Sequence, residues 1–166
     1  MRLDAEHFVP CAPRTWWELM EDPGFLAATD ANSGVLRETL CNEPGGGKDG
    51  RRLLHVRWTA ERELPTVVKK VLGADRLSYE LVQHMDDERC HMVWEIVPPI
   101  SKDRFQGSGE FWIEPAAGGC VRKVTGGIDI RIPIVGGRIE KLIGAEISKG
   151  HAANAKTATD WLKRQA

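Results

Sequence analysis

Two histidines and two glutamates in adjacent strand-like segments have the side-chain chemistry of a metal site. The segments, 76–85 and 89–97, flank an acidic turn, and a two-residue tip at 87–88 would pair His84 with His91. The four side chains on this face are Glu80, His84, His91 and Glu95. Imidazole and carboxylate groups bind transition metals, but this is the polar face of the predicted hairpin. We therefore expect a solvated surface here and predict no metal site.

The cysteines and the glycine-rich segments offer other chemistry, which their spacing argues against. The four cysteines form no C-x-x-C pair and match no zinc pattern, so we expect free, apolar thiols. They are Cys11, Cys41, Cys90 and Cys120. Residues 44–50, PGGGKDG, lack the spacing of a phosphate-binding loop and join two strands. Gly136 and Gly137 precede a helix, where an anion can bind, but a simple turn is the favoured interpretation.

A few polar groups fall among the apolar residues and could orient a bound molecule. They are Tyr79, Gln83 and Asn154, joined by the indole N–H groups of Trp58, Trp94 and Trp112 wherever those rings face inward. No Ser-His-Asp or Cys-His arrangement can be identified from the spacing. The sequence therefore predicts no catalytic residue and no cofactor.

The elements that must position these groups are identified by hydrophobic periodicity. Residues 2–9 predict a strand, and two short helices follow at 12–22 and 25–32, the first opened by a proline. Residues 64–72 fit either a helical turn or an irregular strand. The remaining strand-like segments are 34–41, 51–60, 76–85, 89–97, 103–115 and 120–134.

The strand-like segments predict a curved antiparallel sheet with one apolar face. On the hairpin described above, the apolar face holds Tyr79, Leu81, Met92, Trp94 and Ile96. Four glycines lie inside the last two strands, where glycine commonly marks a bend or bulge. These are Gly107, Gly109, Gly126 and Gly127. We expect six or seven strands in this sheet.

From about Arg138 to Leu162 the hydrophobic period becomes helical. One stripe holds Ile139, Ile143, Ile147, Gly150, Asn154, Ala158 and Leu162. About 25 residues at 1.5 Å each give roughly 37 Å, enough to lie across the concave face of the sheet. The passage from strand to helix is expected at Gly136 and Gly137, without a linker, because glycine permits a sharp turn.

Composition limits the function classes. The 166 residues fit a single domain spanning 1–166, and 23 basic against 24 acidic residues give a net charge of −1. Such a balance indicates no nucleic-acid groove and no anionic membrane surface as partner. No apolar stretch approaches the roughly 20 residues that span a bilayer, and the first ten residues lack the core of a signal peptide. We expect a cytoplasmic protein without stable membrane insertion, and the oligomeric state is left open.

Two stretches resemble the START-like, polyketide cyclase-related (SRPBCC) superfamily, in a branch of uncharacterised bacterial proteins. Residues 6–26 resemble its opening strand, proline-led helix and Asp-Pro break, and residues 126–162 contain a P-x-V-G-G-x-I-E junction before the long helix. The resemblance implies an α+β helix-grip fold, with two short helices after the first strand and a curved antiparallel sheet wrapped on the C-terminal helix. It also implies a mostly apolar cavity between sheet and helix, in which relatives bind lipids, sterols or polyketides.

The expected function is binding or transport of a small hydrophobic ligand in that cavity, such as a lipid, sterol or polyketide-like molecule. Nine residues are expected to contact it: Val56, Trp58, Tyr79, Leu81, Trp94 and Phe111 from the sheet, and Ile139, Ile143 and Ile147 from the helix. One alternative is a cyclase or dehydratase acting on a polyketide-like substrate, with Tyr79 or a buried carboxylate as proton carrier. The other is a protein-interaction module with a filled interior.

Overall fold

The computed structural model describes residues 1–98 and 103–165. Within these ranges a seven-stranded antiparallel sheet, with strand order β1-β7-β6-β5-β4-β3-β2, is combined with four α-helices. The elements are β1 (Arg2–Val9), α1 (Pro13–Leu19), α2 (Pro23–Ser33), β2 (Val35–Glu43), β3 (Arg52–Glu63), α3 (Thr66–Leu72), β4 (Arg76–Asp86), β5 (His91–Val97), β6 (Phe105–Ala116), β7 (Gly119–Ile130) and α4 (Gly136–Gln165). The predicted α+β architecture, a curved sheet against a long C-terminal helix, is confirmed.

Local signals set the bounds of the short helices. Pro13 and Pro23 occupy the first turns of α1 and α2, and the Asp22 side chain accepts a hydrogen bond of 2.8 Å from the Phe25 backbone N–H. Gly34 ends α2 with a φ of 67°. Residues 64–72, whose state the sequence left open, contain the helix α3, which ends at Gly73 with a φ of 66°. The predicted pair of helices after the first strand is present.

The β4–β5 hairpin has the predicted faces but a different register. The turn contains four residues, 87–90, and Asp86 lies opposite His91, so His84 pairs with Val93 instead of His91. Cys90 accommodates the wider turn with a φ of 50°. The register differs from the predicted one by two residues, and because side chains alternate with a period of two, each residue keeps its face.

The junction between β7 and α4 differs from the prediction. Strand β7 ends at Ile130 and residues 131–135 form a linker, in which Ile134 has a φ of 70° and is fully exposed. Neither Gly136 nor Gly137 has a positive φ. Glycine is needed at 136 because a Cβ there would collide with the carbonyl oxygen of Ile130. The close approach of two backbones, and not conformational freedom, explains this glycine.

Helix α4 is anchored at both ends. Near its start, Gly144 lies against the side chains of Met1 and Leu3 on the β1 side of the sheet. Near its end, Trp161 packs edge-on against Phe25 of α2 with ring centroids 6.0 Å apart. The middle of the helix therefore crosses the concave face of the sheet between two fixed points. In the described ranges, no helix is both long enough and apolar enough to cross a membrane.

Candidate functional site

A cavity of about 190 Å³ lies between the concave face of the sheet and the middle of α4. An engineered cavity of about 150 Å³ in another protein binds benzene, so this space is large enough for a small organic molecule. Strands β3, β4 and β5 supply most of the wall, and α4 contributes residues between 146 and 154. Helix α2 and the two residues after α1, Met20 and Glu21, close one side. The cavity is partly open to solvent.

Alternation along the strands builds the apolar wall. Val56 and Trp58 of β3 face inward and lie directly opposite Leu81 and Tyr79 of β4. Such cross-strand pairs place the side chains on one face of the sheet. Trp94 of β5 continues the wall on the far side of β4. The central strands therefore present aromatic and branched side chains to the same space.

The structure brings seven of the nine expected ligand-contacting residues to this wall. They are Val56, Trp58, Tyr79, Leu81, Trp94, Phe111 and Ile147. Ile139 and Ile143 lie elsewhere, in the packed core, where their exposed fractions are 0% and 1%. Both belong to the first turns of α4, which pack on β1 and β7, whereas the cavity begins farther along the helix.

Two glycines give the Trp94 ring its place. Gly109 and Gly126 are cross-strand partners on β6 and β7, and a Cβ on either residue would lie 2.5 Å from the Cζ2 atom of Trp94. That separation is far below van der Waals contact. From the sequence, we expected these glycines to mark curvature of the sheet. Their immediate role is to leave space for the indole against the two strands.

Tyr79 is an enclosed polar group on the wall. Its burial, followed by the nearby Glu146 carboxylate, raises the pKa of the phenol to about 12. Glu146 also lines the cavity and forms an ion pair of 2.7 Å with the exposed Arg62. Tyr79 is therefore a neutral hydrogen-bonding group at physiological pH. Gln83, also on the wall, is 8% exposed.

The indole nitrogens expected from the sequence have different environments. Trp58 lines the cavity, and its Nε1 has no hydrogen-bond partner in the described part of the chain. The guanidinium of Arg37 covers the Trp58 ring at 4.4 Å and pairs with Asp30 at 2.7 Å. Trp112 faces away from the cavity, and its Nε1 donates to Glu114 at 2.7 Å. Trp112 is therefore not available to a ligand in the cavity.

Arg122 is a buried cation on β7 that was not among the residues expected from the sequence. It lines the cavity and is 2% exposed. Its Nη2 donates to Nδ1 and to the backbone oxygen of His151, each at 2.9 Å, and its Nη1 donates to Oδ1 of Asn154. The guanidinium carbon lies 5.0 Å from the Trp16 ring and 5.4 Å from the Phe111 ring. Among the residues described, no carboxylate forms an ion pair with Arg122.

The surroundings of Arg122 shift the protonation of three groups. Burial lowers the pKa of Arg122 itself to about 9. Burial, followed by the charge of Arg122, lowers the pKa of His151 well below its ordinary value and also lowers that of His7, the cross-strand neighbour of Arg122. Both imidazoles are therefore neutral beside a cationic guanidinium.

Two sequence features could have indicated this cluster. Arg122 has the same parity as Cys120 and Val124, which are both buried, so alternation places it on the inner face. Ile147 belongs to the predicted inner stripe of α4, and His151 lies four residues after it, one turn along the helix. Neither feature was decisive because an arginine or a histidine is usually assigned to solvent in the absence of a known partner.

The histidine and glutamate face considered for metal binding has a different geometry. His84 is buried beneath the β2–β3 connection and its Nδ1 accepts a hydrogen bond of 3.1 Å from the Lys48 backbone N–H. His91 lies 3.2 Å from Glu110 and does not face His84 across the strands. Within 1–98 and 103–165, no three His, Cys, Asp or Glu residues are grouped closely enough to hold a metal ion.

Solved structures with the same fold include proteins of several kinds. The Zhui aromatase/cyclase from Streptomyces sp. R1128 has a TM-score of 0.66 and 12% identity, with 99% of this chain and 94% of that chain covered. The protein TTHA0849 from Thermus thermophilus has a TM-score of 0.63 and 17% identity, with 100% and 99% covered. A START superfamily protein from Mycobacterium smegmatis has a TM-score of 0.61 and 15% identity, with 97% and 98% covered. At these identities the likeness shows the fold alone.

Sequence comparison adds the family. No curated protein matches the sequence. A family model described as "Protein of unknown function (DUF2505)" matches residues 4–162, nearly the whole chain. The chain therefore belongs to the DUF2505 family, and its fold is the START-like, polyketide cyclase-related helix grip that the sequence resembles.

Proposed function

We propose that this protein binds a small hydrophobic or amphipathic molecule in the cavity between β3–β5 and α4. The observation that carries the proposal is the cavity itself, about 190 Å³ with a mainly apolar wall, which is the usual character of a ligand site. We assign to the protein the role of a carrier or sensor of that molecule in the cytoplasm. A START superfamily protein and an aromatase/cyclase support the proposal because both have the same fold as this chain.

Burial of apolar surface supplies the affinity in this proposal. Covering about 300 Å² of ligand surface at about 25 cal/mol/Å² contributes roughly 7 kcal/mol before the cost of ordering the ligand. The branched wall residues Val56, Leu81 and Ile147 provide part of this contact. Gly150 leaves room on the helix side, since nothing lies within 4 Å of the position that its Cβ would take.

Filling the cavity from the helix should weaken binding of a neutral fluorescent probe, N-phenyl-1-naphthylamine. Ile147→Trp puts an indole into the space that the probe would occupy, so we expect at least a ten-fold rise in Kd, equivalent to about 1.4 kcal/mol. Trp58→Ala removes wall contacts and should also weaken binding. Fluorescence titration measures each Kd, and urea denaturation measures the free energy of unfolding of the same variants.

The matched control is Leu36→Ala, which removes an apolar side chain that is 54% exposed on the edge strand β2. It should leave the probe Kd within about two-fold of the wild-type value. Equal weakening by Leu36→Ala and Ile147→Trp would place the probe on the surface and contradict the proposal. A loss of probe affinity that only tracks the loss of folding would do the same.

A second candidate function is catalysis on a polyketide-like substrate, favoured by the presence of His151 and Tyr79 in one cavity. A neutral imidazole with a lowered pKa and a neutral phenol with a raised pKa can accept and donate protons. The test is the mass of a linear poly-β-ketone analogue after incubation with the protein. Loss of one water from the analogue favours this candidate, and an unchanged analogue favours binding alone. The remaining alternative, a protein-interaction module, was expected to have a filled interior, and the cavity does not support it.

A further inference from the structure

Arg122 and two of its neighbours have buried polar atoms without hydrogen-bond partners. Its own Nε, the Nε1 of Trp16 and the Nδ1 of His7 have no hydrogen-bond partner among the described residues. Trp16 is fully buried, its ring stacks near the guanidinium, and His7 is the residue opposite Arg122 on β1. Buried polar atoms are normally paired, so this group shows that the described residues do not satisfy all of the hydrogen-bonding capacity around Arg122.

The charges around Arg122 do not compensate its own. From β1 it faces His7, from α1 Trp16, from β6 Phe111, and from α4 His151 and Asn154. All five neighbours are neutral. A buried charge without a counterion is unfavourable by several kcal/mol, and a hydrogen-bonded counterion offsets part of that cost. The site therefore favours the entry of a negative group.

The carboxylates on the cavity wall do not fill this role. Glu146 is paired with Arg62, and Glu21 forms an ion pair with Arg52. Asp30, which lies behind the wall residue Arg37, is paired with it. Each of these acids is thus paired with another arginine, and within the described ranges Arg122 is left without a carboxylate.

We propose that the bound molecule carries a single carboxylate on its apolar body and that this carboxylate binds to Arg122 at the β7 side of the cavity. The inference rests on the proposed binding function and names the chemical class of the ligand. Guanidinium and carboxylate form strong, geometrically matched hydrogen bonds, and Arg122 lies on the cavity wall. The apolar body would lie along β3–β5. An alkyl carboxylic acid and an aromatic carboxylic acid both have this combination of groups.

The first experiment compares acids with alcohols of the same shape. Decanoate and decan-1-ol, and naphthalene-2-carboxylate and naphthalene-2-methanol, compete with the neutral probe N-phenyl-1-naphthylamine at pH 7.5. In at least one of the two pairs, we expect the acid to bind ten-fold or more tightly than its alcohol, as a charged hydrogen bond of about 1.4 kcal/mol would give. Arg122→Gln should abolish this preference, so that each acid binds no more tightly than its alcohol.

A surface arginine serves as the control for general charge. Arg89→Gln removes a side chain that is 80% exposed and lies on the β4–β5 turn. It should keep the wild-type preference for the acid. Loss of the preference in Arg89→Gln as well as in Arg122→Gln would show attraction by net charge alone and would overturn the inference.

A second measurement needs no variant and decides the matter if Arg122→Gln fails to fold. Imidazole signals followed by NMR in the wild-type protein report the pKa values of His7 and His151, which burial and, after it, the charge of Arg122 lower. A bound carboxylate offsets that charge, so saturation with decanoate should raise both pKa values and saturation with decan-1-ol should not.

The outcomes separate this inference from the proposed function. If acid and alcohol displace the probe equally and the histidines titrate alike with both, the carboxylate is excluded and binding in the cavity remains. If the probe, the alcohols and the acids all fail to bind, the proposed function is overturned and this inference with it.

Discussion

At the scale of single residues, Arg122 sets the character of the cavity. A guanidinium that is 2% exposed, held by Asn154 and His151 between two aromatic rings, is fixed in place by neutral groups. Breaking such contacts leaves a buried charge with fewer partners, which destabilises a protein strongly. The residue is therefore part of the folded architecture in addition to being a candidate ligand contact.

His151 should make the stability of the protein depend on pH. Its folded-state pKa is lowered, so below about pH 6.5 the unfolded chain binds a proton that the folded chain does not. The free energy of unfolding should therefore fall as the pH drops from 7.5 to 5.5. His151→Gln, whose amide oxygen can accept from Arg122, should reduce that fall by about 1 kcal/mol.

Urea denaturation of both proteins at the two pH values measures this difference. His7 and His84 also have lowered pKa values because of burial, so a residual fall should persist in the variant. An identical pH dependence in wild type and His151→Gln would show that His151 does not titrate as the structure implies.

The limits of sequence-based prediction are clearest at this residue scale. The alternation of apolar residues predicted the wall positions Val56, Tyr79 and Trp94, because one face of a strand pair shares one environment. Alternation also places Arg122 on the inner face, but it could not show what would hold a cation there, since its hydrogen-bond partners, His151 and Asn154, come from a helix about 30 residues away in the chain. Contacts between distant elements are set by packing, which a local pattern does not contain.

At the scale of elements, the β6–β7 pair shapes the cavity through Trp94. Gly109 and Gly126 leave a flat strip of backbone on which the indole rests, and Trp94 then forms part of the wall. The sequence predicted that these glycines mark a bend or bulge in a curved sheet. It could not predict the indole because the contact depends on the β5–β6 register, in which Trp94 lies opposite Gly109.

Substitution of two adjacent glycines should have different outcomes. A Cβ at Gly126 would lie 2.5 Å from the Trp94 ring and 2.6 Å from the backbone oxygen of Ser108. A Cβ at Gly127 would have the backbone oxygen of Met1 as its nearest neighbour, at 3.6 Å. We expect Gly126→Ala to lower the free energy of unfolding by about 1–3 kcal/mol. Gly127→Ala should change it by no more than about 0.5 kcal/mol.

Urea denaturation measures both values, and near-ultraviolet circular dichroism follows the environment of the indoles. The two variants add the same methyl group at neighbouring positions of β7, so intrinsic strand propensity is similar in both. Equal destabilisation by Gly126→Ala and Gly127→Ala would contradict the role assigned to the Trp94 contact.

Element boundaries were predicted better than the connections between elements. The period of the C-terminal stretch predicted a helix from 138 to 162, close to the observed bounds of α4, Gly136–Gln165. The expected direct passage from strand to helix was wrong, because residues 131–135 form a linker with a positive φ at Ile134. Isoleucine rarely adopts that conformation, so no local rule could have placed the turn there.

At the scale of the whole molecule, the cavity results from how α4 is held. The start of the helix packs on β1 and β7, and its end packs on α2, where Asn32 donates to Thr157 at 2.8 Å. Between these anchors the side chains of α4 and of β3–β5 do not fill the space. The order of elements and the family resemblance predicted this arrangement. Which part of the helix borders the cavity depends on the two anchors, and for that reason Ile139 and Ile143 lie in the packed core instead of on the wall.

The most direct test of the central claim is a two-dimensional ¹⁵N–¹H NMR titration with neutral decan-1-ol. The account predicts saturable shift changes that concentrate on the inward positions of β3–β5 and on residues 147–154 of α4, with small changes around Ile139 and Ile143. Absence of saturable changes, or changes confined to exposed apolar residues such as Phe8 and Leu36, would contradict binding between the sheet and the helix.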